Sequence, residues 1–345
     1  MKNSLIKDRP LFIAEISANH NGSIKNAKKL IKDAKKNGAD FVKLQTYTPD
    51  TMTLKSNKKD FVITQGIWKN KNLWSLYKKA QTPFEWQQEL FEYAKKIKIK
   101  CFSTPFDETA VDLLEKLNCP IYKVASFELN HIPLIKRISK TKKPIIISTG
   151  MADISEIDLA FNTALKHGSK EIILLYCVSN YPANKKDFNL NKINFLKERY
   201  KCKIGFSDHS IDNSIAKAAI VAGAEIFEKH IALKNVRGPD YKFSLKGKEI
   251  AKYANDLKNT FYLLGKDKFG IKINEKNYRK YRRSIYSTRL IKKNEKFTLK
   301  NIKVVRPGYG LQPKYFFKIL NKKSPFEIKK YDRLSKKILN KLKIR

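Results

Sequence analysis

The sequence has few of the features that mark secreted, membrane or zinc-cluster proteins. Its 345 residues contain four cysteines, Cys101, Cys119, Cys177 and Cys202, and none of them form a C-x-x-C pair. This argues against a disulfide framework or a cysteine zinc site, and it predicts a reduced, cytoplasmic environment. No apolar run approaches the ~20 residues of a membrane span. The N-terminal MKNSLIKDRP has no apolar h-region, so we expect no secretory signal.

Acidic residues are also scarce. Asp and Glu number 32 against 73 Lys and Arg, which gives a formal net charge of +41. Such a charge is typical of proteins that bind nucleic acid or an anionic membrane. The alternative is a lysine-biased composition, because the lysines are spread over nearly every predicted helix and no aromatic–basic nucleic-acid module occurs. We favour the lysine-biased composition as the origin of the charge and predict no nucleic-acid or membrane partner. The positive charge would still attract anionic substrates.

Eight short apolar runs occur in the first 230 residues, and stretches of helical periodicity such as Ile24–Lys36, Pro83–Lys96 and Ile154–His167 separate them. Eight strand–helix alternations in about 250 residues predict an α/β fold, the TIM barrel, whose active site lies where the strands end. The runs are Leu11–Ile16, Phe41–Leu44, Cys101–Phe102, Ile121–Val124, Ile145–Ile147, Ile172–Tyr176, Ile204–Phe206 and Ile226–Ile231.

The chain is long enough for a barrel and a small appended domain. We predict a barrel over residues 1–265, a polar linker over 266–283 and a compact β-rich domain over 284–345. The connection from Pro49 to Pro83 is long and aromatic, and a loop of this kind at the top of a barrel is expected to shape the substrate pocket. For its tryptophans, Trp68 and Trp74, the alternative is packing against the barrel rim.

Two histidines end neighbouring predicted strands. His209 lies in GFSDHS and His230 in FEKHI, and Asp208 and Glu228 place a carboxylate near each. Adjacent strands lie about 4.8 Å apart, so both imidazoles could hold one divalent ion and leave its other positions to water and substrate. A structural role for each histidine is the alternative, and their paired placement favours the metal.

Other strand ends carry cations, hydroxyl groups and a carboxylate. Lys43, Thr104, Lys123 and Ser148 occupy such positions. A lysine is costly to bury unless it meets an anion, so two lysines beside hydroxyl groups predict a phosphate or carboxylate pocket, unless each extends to water. Glu15 ends the first strand, and its position leaves two roles open: a general acid/base, or a carboxylate neutralised by a barrel lysine.

The motifs IAEISANHNGS, FVKLQTYTPD, CFSTPFD, YKVASFE, ISTGM, GFSDHS, FEKH and RGPD occur in this order. The series resembles the sialic acid synthase family, transferases that condense phosphoenolpyruvate with an N-acetylated sugar aldehyde. The resemblance covers essentially the whole chain, and the C-terminal part is similar to the antifreeze-like (SAF) domain of the family. QTYTPDTMTL and the segment from GIWKNKNLW onwards most resemble the pseudaminic acid branch, whose substrate is 2,4-diacetamido-2,4,6-trideoxy-L-altrose.

The resemblance implies a mechanism and a set of site residues. Catalysis would involve Glu15, His209 and His230. The two histidines would hold Mn²⁺, or Mg²⁺ or Co²⁺, to polarise the aldehyde, and Glu15 would stabilise a cationic carbon or handle a proton. It also implies a homodimer in which the C-terminal domain caps the barrel of the partner. Phosphoenolpyruvate would be held by Lys43, Thr104, Lys123, Ser126, Ser148, Ser207, Asn180 and Tyr181. The sugar would contact Gln45, Tyr47, Glu228, Asp240 and Arg306.

The segment GPDYKFSL, residues 238–245, mixes two patterns of the family. N-acetylneuraminate synthases commonly read GPDH here, whereas pseudaminic acid enzymes commonly lack the Gly-Pro pair. An N-acetylneuraminate or legionaminate synthase, which uses N-acetylmannosamine or a diacetamido-mannose analogue, is therefore the alternative. The aromatic connection with Trp68 and Trp74 suits a 6-deoxy sugar with two acetamido groups, because that sugar is more apolar.

Overall fold

The computed structural model describes residues 9–66, 68–179, 183–265 and 269–344. Within them, eight parallel strands pair in chain order, and the eighth pairs with the first to close a barrel. The predicted TIM barrel is confirmed. The strands are β1 (Leu11–Glu15), β2 (Phe41–Thr46), β3 (Lys100–Pro105), β4 (Tyr122–Val124), β5 (Ile145–Ser148), β6 (Ile172–Cys177), β7 (Lys203–Asp208) and β8 (Ile226–Ala232), and the short β9 (Leu245–Lys246) pairs with the end of β8.

The helices follow the predicted periodicity closely, and polar side chains fix where they begin. Ser23 accepts the Asn26 N–H, and Asp153 forms a capping box with Glu156. The helices are α1 (Ile24–Lys36), α2 (Pro49–Met52), α3 (Leu73–Ala80), α4 (Phe84–Lys96), α5 (Glu108–Lys116), α6 (Ile132–Ser139), α7 (Ile154–Lys166), α8 (Asn191–Tyr200), α9 (Asn213–Val221), α10 (Lys248–Leu264), α11 (Phe316–Ile319) and α12 (Lys336–Lys341). The 3₁₀-helices are Ser17–His20, Lys59–Phe61, Ser126–Glu128, Lys185–Asp187, Tyr241–Phe243, Ile273–Tyr281 and Pro313–Tyr315.

Apolar side chains fill the amino-terminal end of the barrel interior. They leave a cavity of only about 10 Å³, so this end has no room for a ligand. The close packing depends in part on Gly205 in β7, because a Cβ there would lie 2.4 Å from the carbonyl oxygen of Ile226. Space for substrate therefore exists at the carboxyl ends of the strands. The residues around the small cavity are Leu11, Ile13, Phe41, Phe102, Ile121, Ile146, Ile173 and Ile226.

A second compact unit follows Gly265. Its two strands, β10 (Ser284–Ser287) and β11 (Ile302–Val305), are antiparallel, and its core is separate from that of the barrel. The segment that we predicted to be a linker contains the 3₁₀-helix Ile273–Tyr281. Ile285, Phe297 and Leu334 are fully buried in this core. None of the helices in the described ranges is long and apolar enough to cross a membrane.

Candidate active site

A cavity of about 420 Å³ lies at the carboxyl ends of the barrel strands. Strand register explains why distant segments meet there, because Glu15 on β1 pairs with Lys43 on β2 and with His230 on β8. Ser207 on β7 likewise pairs with Glu228 on β8. Twelve of the predicted site residues line this cavity: Glu15, Lys43, Gln45, Tyr47, Lys123, Ser126, Ser148, Ser207, His209, Glu228, His230 and Asp240.

A buried ion cluster occupies the floor of the cavity. Lys43 is 4% exposed and forms an ion pair with the Glu15 carboxylate, and its Nζ lies 3.6 Å from Oε1 of Glu228. Burial alone would lower the pKa of Lys43, but the two carboxylates raise it. Lys43 therefore does not extend to water. For Glu15, burial raises the pKa despite Lys43, so its carboxyl group is poised to exchange a proton.

The second predicted lysine is equally buried. Lys123 is 2% exposed and donates to Ser148 Oγ at 2.6 Å, whereas Lys43 donates to Thr104 Oγ1 at 3.0 Å. Burial lowers the pKa of Lys123. Each lysine thus lies beside a hydroxyl group, the arrangement predicted for an anion pocket. Thr104 contacts Lys43 behind the cavity wall and supports it there.

The imidazoles of His209 and His230 face each other, with ring centroids 5.6 Å apart. Burial lowers the pKa of His209 to about 4 and that of His230 well below its ordinary value, so both rings are neutral at neutral pH. Nδ1 of His209 must carry a proton, because it donates to the Val178 carbonyl at 3.0 Å. This tautomer leaves the lone pair on Nε2, as a metal-binding histidine requires.

The two histidines are chemically suited to bind a divalent ion. His230 Nδ1 is buried and has no hydrogen-bond partner, and it lies 3.7 Å from Oδ2 of Asp240. A neutral imidazole with an unsatisfied buried nitrogen is a ready ligand. In the part of the chain that the structure describes, no group of three or more His, Cys, Asp or Glu residues is placed to hold a metal. A site here would therefore rely on water or substrate for its other ligands.

Asp208 differs from Glu228 in where its carboxylate points. Its Oδ2 accepts the Tyr253 hydroxyl at 3.1 Å and lies 3.2 Å from Lys229 Nζ, in a fully buried ion pair. Side chains alternate along a strand, so residues 208 and 229 face the helices while their neighbours face the cavity. Asp208 therefore does not flank the imidazoles. It holds β7 and β8 in register behind them.

Sequence reasoning missed Glu128 as a candidate site residue. It lies in the 3₁₀-helix after β4 and lines the cavity, and its buried Oε2 has no hydrogen-bond partner. Burial raises its pKa to about 7, although Lys123 acts in the opposite direction. The sequence feature that could have identified Glu128 is its position in the motif YKVASFE, two residues after Ser126. Ser17 was also missed, and its hydroxyl group donates to the Asp240 carboxylate.

Several predicted residues lie outside this cavity or outside the described ranges. Asn180 and Tyr181 are not among the described residues. Arg306 directly follows β11 in the C-terminal unit, and its sugar contact stays a prediction. Of the two tryptophans, Trp68 lines the cavity. Trp74 donates to Asp50 Oδ1 at 2.8 Å, so its indole N–H is used within the connection itself.

The fold and the cluster of reactive groups at the strand ends define a TIM-barrel enzyme. This chain belongs to the NeuB family, whose model matches residues 30–269. The resemblance to sialic acid synthases is thereby confirmed.

Curated relatives match over nearly the full length. The chain is 40% identical to a pseudaminic acid synthase of Campylobacter jejuni, over 95% of this chain and 96% of that protein. It is 42% identical to a pseudaminic acid synthase of Helicobacter pylori, over 91% and 93%. Among solved structures, an N-acetylneuraminic acid synthetase of Leptospira borgpetersenii in complex with citrate is similar, with a TM-score of 0.71 and 31% identity over 81% of this chain and 93% of that one.

Proposed function

We propose that this protein condenses phosphoenolpyruvate with 2,4-diacetamido-2,4,6-trideoxy-L-altrose to form pseudaminic acid and inorganic phosphate. The observation that carries the proposal is a single cavity with an anion site and paired neutral imidazoles, formed by Lys43, Lys123, His209 and His230. The identity to two pseudaminic acid synthases supports this sugar. N-acetylmannosamine is the alternative, because GPD at residues 238–240 resembles the pattern of N-acetylneuraminate synthases.

The anionic groups of phosphoenolpyruvate would lie against the two lysines. Lys43 with Thr104 and Lys123 with Ser148 provide two cation–hydroxyl pairs, and Ser126 and Ser207 add hydroxyl donors. Because these groups lie on strand ends of the barrel, they would hold phosphoenolpyruvate in a fixed orientation for attack on the aldehyde. Burial strengthens each charged contact because water is excluded from the floor of the cavity.

The condensation forms one C–C bond and breaks the C–O bond to phosphate. C3 of phosphoenolpyruvate bonds to the aldehyde carbon, and the aldehyde oxygen takes up a proton. Positive charge develops at C2, where the carboxylates of Glu15 and Glu228 stabilise it. Water adds to C2 and loses one proton, which leaves a hydroxyl group and the phosphate on the same carbon. The hydroxyl proton then passes to the departing phosphate as the C2–O bond to phosphate breaks, so that a ketone and inorganic phosphate form. Glu15 and Glu128, whose pKa values burial raises, can accept and donate these protons near neutral pH.

A divalent cation, Mn²⁺ with Mg²⁺ and Co²⁺ as alternatives, would be held by His209 and His230 and would polarise the aldehyde carbonyl when bound. Variants of the two histidines test this part of the proposal. His209→Ala and His230→Ala should each abolish turnover and each weaken Mn²⁺ binding to the substrate-free protein, measured by calorimetry. His20→Ala is a matched control, because this buried histidine contacts Thr82 outside the cavity. Unchanged Mn²⁺ binding in both site variants would remove the two histidines as ligands.

The activity test measures phosphate release from phosphoenolpyruvate with three sugars supplied side by side. We expect release with the altrose-type sugar and a divalent cation, and little with the mannosamine-type or bacillosamine-type precursor. A preference for N-acetylmannosamine would support the alternative product. Release that persists in EDTA, or that no amino sugar stimulates, would contradict the proposal as a whole.

We also propose a homodimer in which the C-terminal domain of one subunit caps the barrel of the other, with Arg306 against the sugar. Support comes from the resemblance of this domain to the SAF domain. His209→Ala and Arg306→Ala should each be inactive alone. If the two residues serve one site from different subunits, mixing and reassociating the variants should restore about a quarter of the wild-type activity. No recovery despite subunit exchange would contradict the shared site.

A further inference from the structure

Four polar groups, those of Ser126, Gly150, Cys177 and Ser179, meet at the wall of the active-site cavity. Ser126 Oγ lies 3.0 Å from Cys177 Sγ and accepts the Gly150 backbone N–H at 3.2 Å. Cys177 Sγ in turn lies 4.0 Å from Ser179 Oγ. Ser126 lines the cavity, whereas Cys177 is buried at the end of β6. The cluster thus joins a cavity-facing hydroxyl group to a thiol that substrate does not reach.

Glycine at position 150 is required for this convergence. A Cβ there would lie 2.1 Å from Ser179 Oγ and 2.8 Å from both Cys177 Sγ and Ser126 Oγ. Gly150 does not have a positive φ, so the available space, and not its backbone conformation, excludes a side chain. The glycine in the motif ISTGM therefore allows three heteroatoms to approach one another.

The hydrogen-bonding capacity of Ser126 determines what this cluster can do. A serine hydroxyl group has one hydrogen to donate and two lone pairs to accept with. The Gly150 N–H occupies one lone pair. Burial raises the pKa of the Cys177 thiol, which therefore keeps its proton and can donate it. If the thiol fills the second lone pair, the Ser126 hydroxyl group can act only as a donor, which is what a phosphate or carboxylate oxygen requires.

We propose that Cys177 is a positioning residue for the anion site, and that its S–H donates to Ser126 Oγ so that the Ser126 hydroxyl hydrogen is committed to phosphoenolpyruvate. This inference rests on the proposed function. Cys177 would contribute to ground-state binding of the anion and not to the chemical step, because it contacts no reacting atom. The Ser179 hydroxyl group would in turn donate a hydrogen bond to Cys177 Sγ.

Kinetics of Cys177 variants test the proposal. Cys177→Ala should raise the KM for phosphoenolpyruvate about fivefold, the effect of one neutral hydrogen bond, and leave kcat and the KM for the sugar within about twofold. Cys177→Ser retains a donor and should recover most of the affinity. Cys119→Ala is the matched control, because this buried thiol donates to the Ile121 carbonyl outside the cavity and its loss should leave all three constants unchanged.

The S–H stretching band provides a second readout, which a purely structural thiol would not change. The Cys177 band is isolated as the infrared difference between wild type and Cys177→Ala. It should shift to higher frequency in Ser126→Ala, which removes the acceptor, and to lower frequency when phosphoenolpyruvate binds. If Cys177→Ala does not fold, Cys177→Ser, which also lacks the S–H group, replaces it as the infrared reference. The band in Ser126→Ala and the kinetics of Cys177→Ser then carry the test.

The outcomes separate this proposal from the proposed function. Three outcomes would each overturn the positioning role and leave the condensation intact. The first is wild-type turnover with an unchanged KM for phosphoenolpyruvate in Cys177→Ala, and the second is an equal impairment of kcat and of both KM values. The third is an S–H band that does not shift in Ser126→Ala. Failure of the wild-type protein to bind or consume phosphoenolpyruvate would overturn both.

Discussion

The buried carboxyl group of Glu128 makes the electrostatics of the cavity measurable. Its ordinary pKa is 4.5, and burial raises the pKa to about 7 in the folded protein. The folded protein therefore binds this proton more tightly than the unfolded chain does. Stability from the neutral carboxyl group is fully present below pH 4.5 and is lost as the pH rises through about 7. At about 1.4 kcal/mol per pH unit, the loss over this interval is about 3 kcal/mol.

Glu128→Gln removes the titrating group with little change in shape. The variant should be about as stable as the wild type near pH 4.5 and about 3 kcal/mol more stable above pH 8, because the wild type alone must keep a carboxylate buried. The assay is urea denaturation of both substrate-free proteins between pH 4.5 and 8.5. A stability difference that does not change across this range would refute the reasoning.

A control with the opposite sign strengthens this test. Glu115 is partly exposed, and although burial acts to raise its pKa, hydrogen bonds from Lys143 and Tyr122 lower it overall. Stability from this ionised carboxylate is present above its ordinary pKa of 4.5 and is lost as the pH falls below that value. Glu115→Gln should therefore be less stable than the wild type by a nearly constant amount between pH 4.5 and 8.5, and this difference should shrink only below pH 4.5. A stability difference that changes between pH 4.5 and 8.5 as it does for Glu128→Gln would indicate a general effect of charge.

Two further predictions concern buried charges. Lys43→Met leaves Glu15 without its ion-pair partner and Glu228 without one of the two lysines that stabilise its carboxylate. It should lower the free energy of unfolding by about 3–5 kcal/mol at pH 7.5, with a smaller loss at pH 5. An unchanged urea midpoint would contradict the ion cluster. Lys229→Met should lower the free energy of unfolding by a similar amount, because it leaves the Asp208 carboxylate buried without its cation. Adding Asp208→Leu should recover most of that loss, and thermal unfolding of the single and double variants measures both effects. No recovery in the double variant would assign Lys229 a role in packing alone.

The sequence by itself determined the barrel and most of the residues at its rim. Alternating apolar runs and helical stretches predict eight parallel strands, and the carboxyl ends of such strands meet on one face whatever the details of packing. The sequence alone therefore predicts that four residues lie together at this face: Lys43, Lys123, His209 and His230. The strands extend slightly beyond the apolar runs, for example to Ser148, because backbone hydrogen bonding does not require an apolar side chain.

Only the tertiary structure decided the direction of each side chain and the charge that it carries. Asp208 and Glu228 each lie close to a histidine in sequence, yet one points to the helices and the other into the cavity, since alternation along a strand becomes definite only when its register is known. For Glu15, pairing with a barrel lysine is compatible with proton exchange, because burial raises its pKa. Protonation and partner choice depend on solvent exclusion and on distances across strands, and no local sequence pattern contains these quantities.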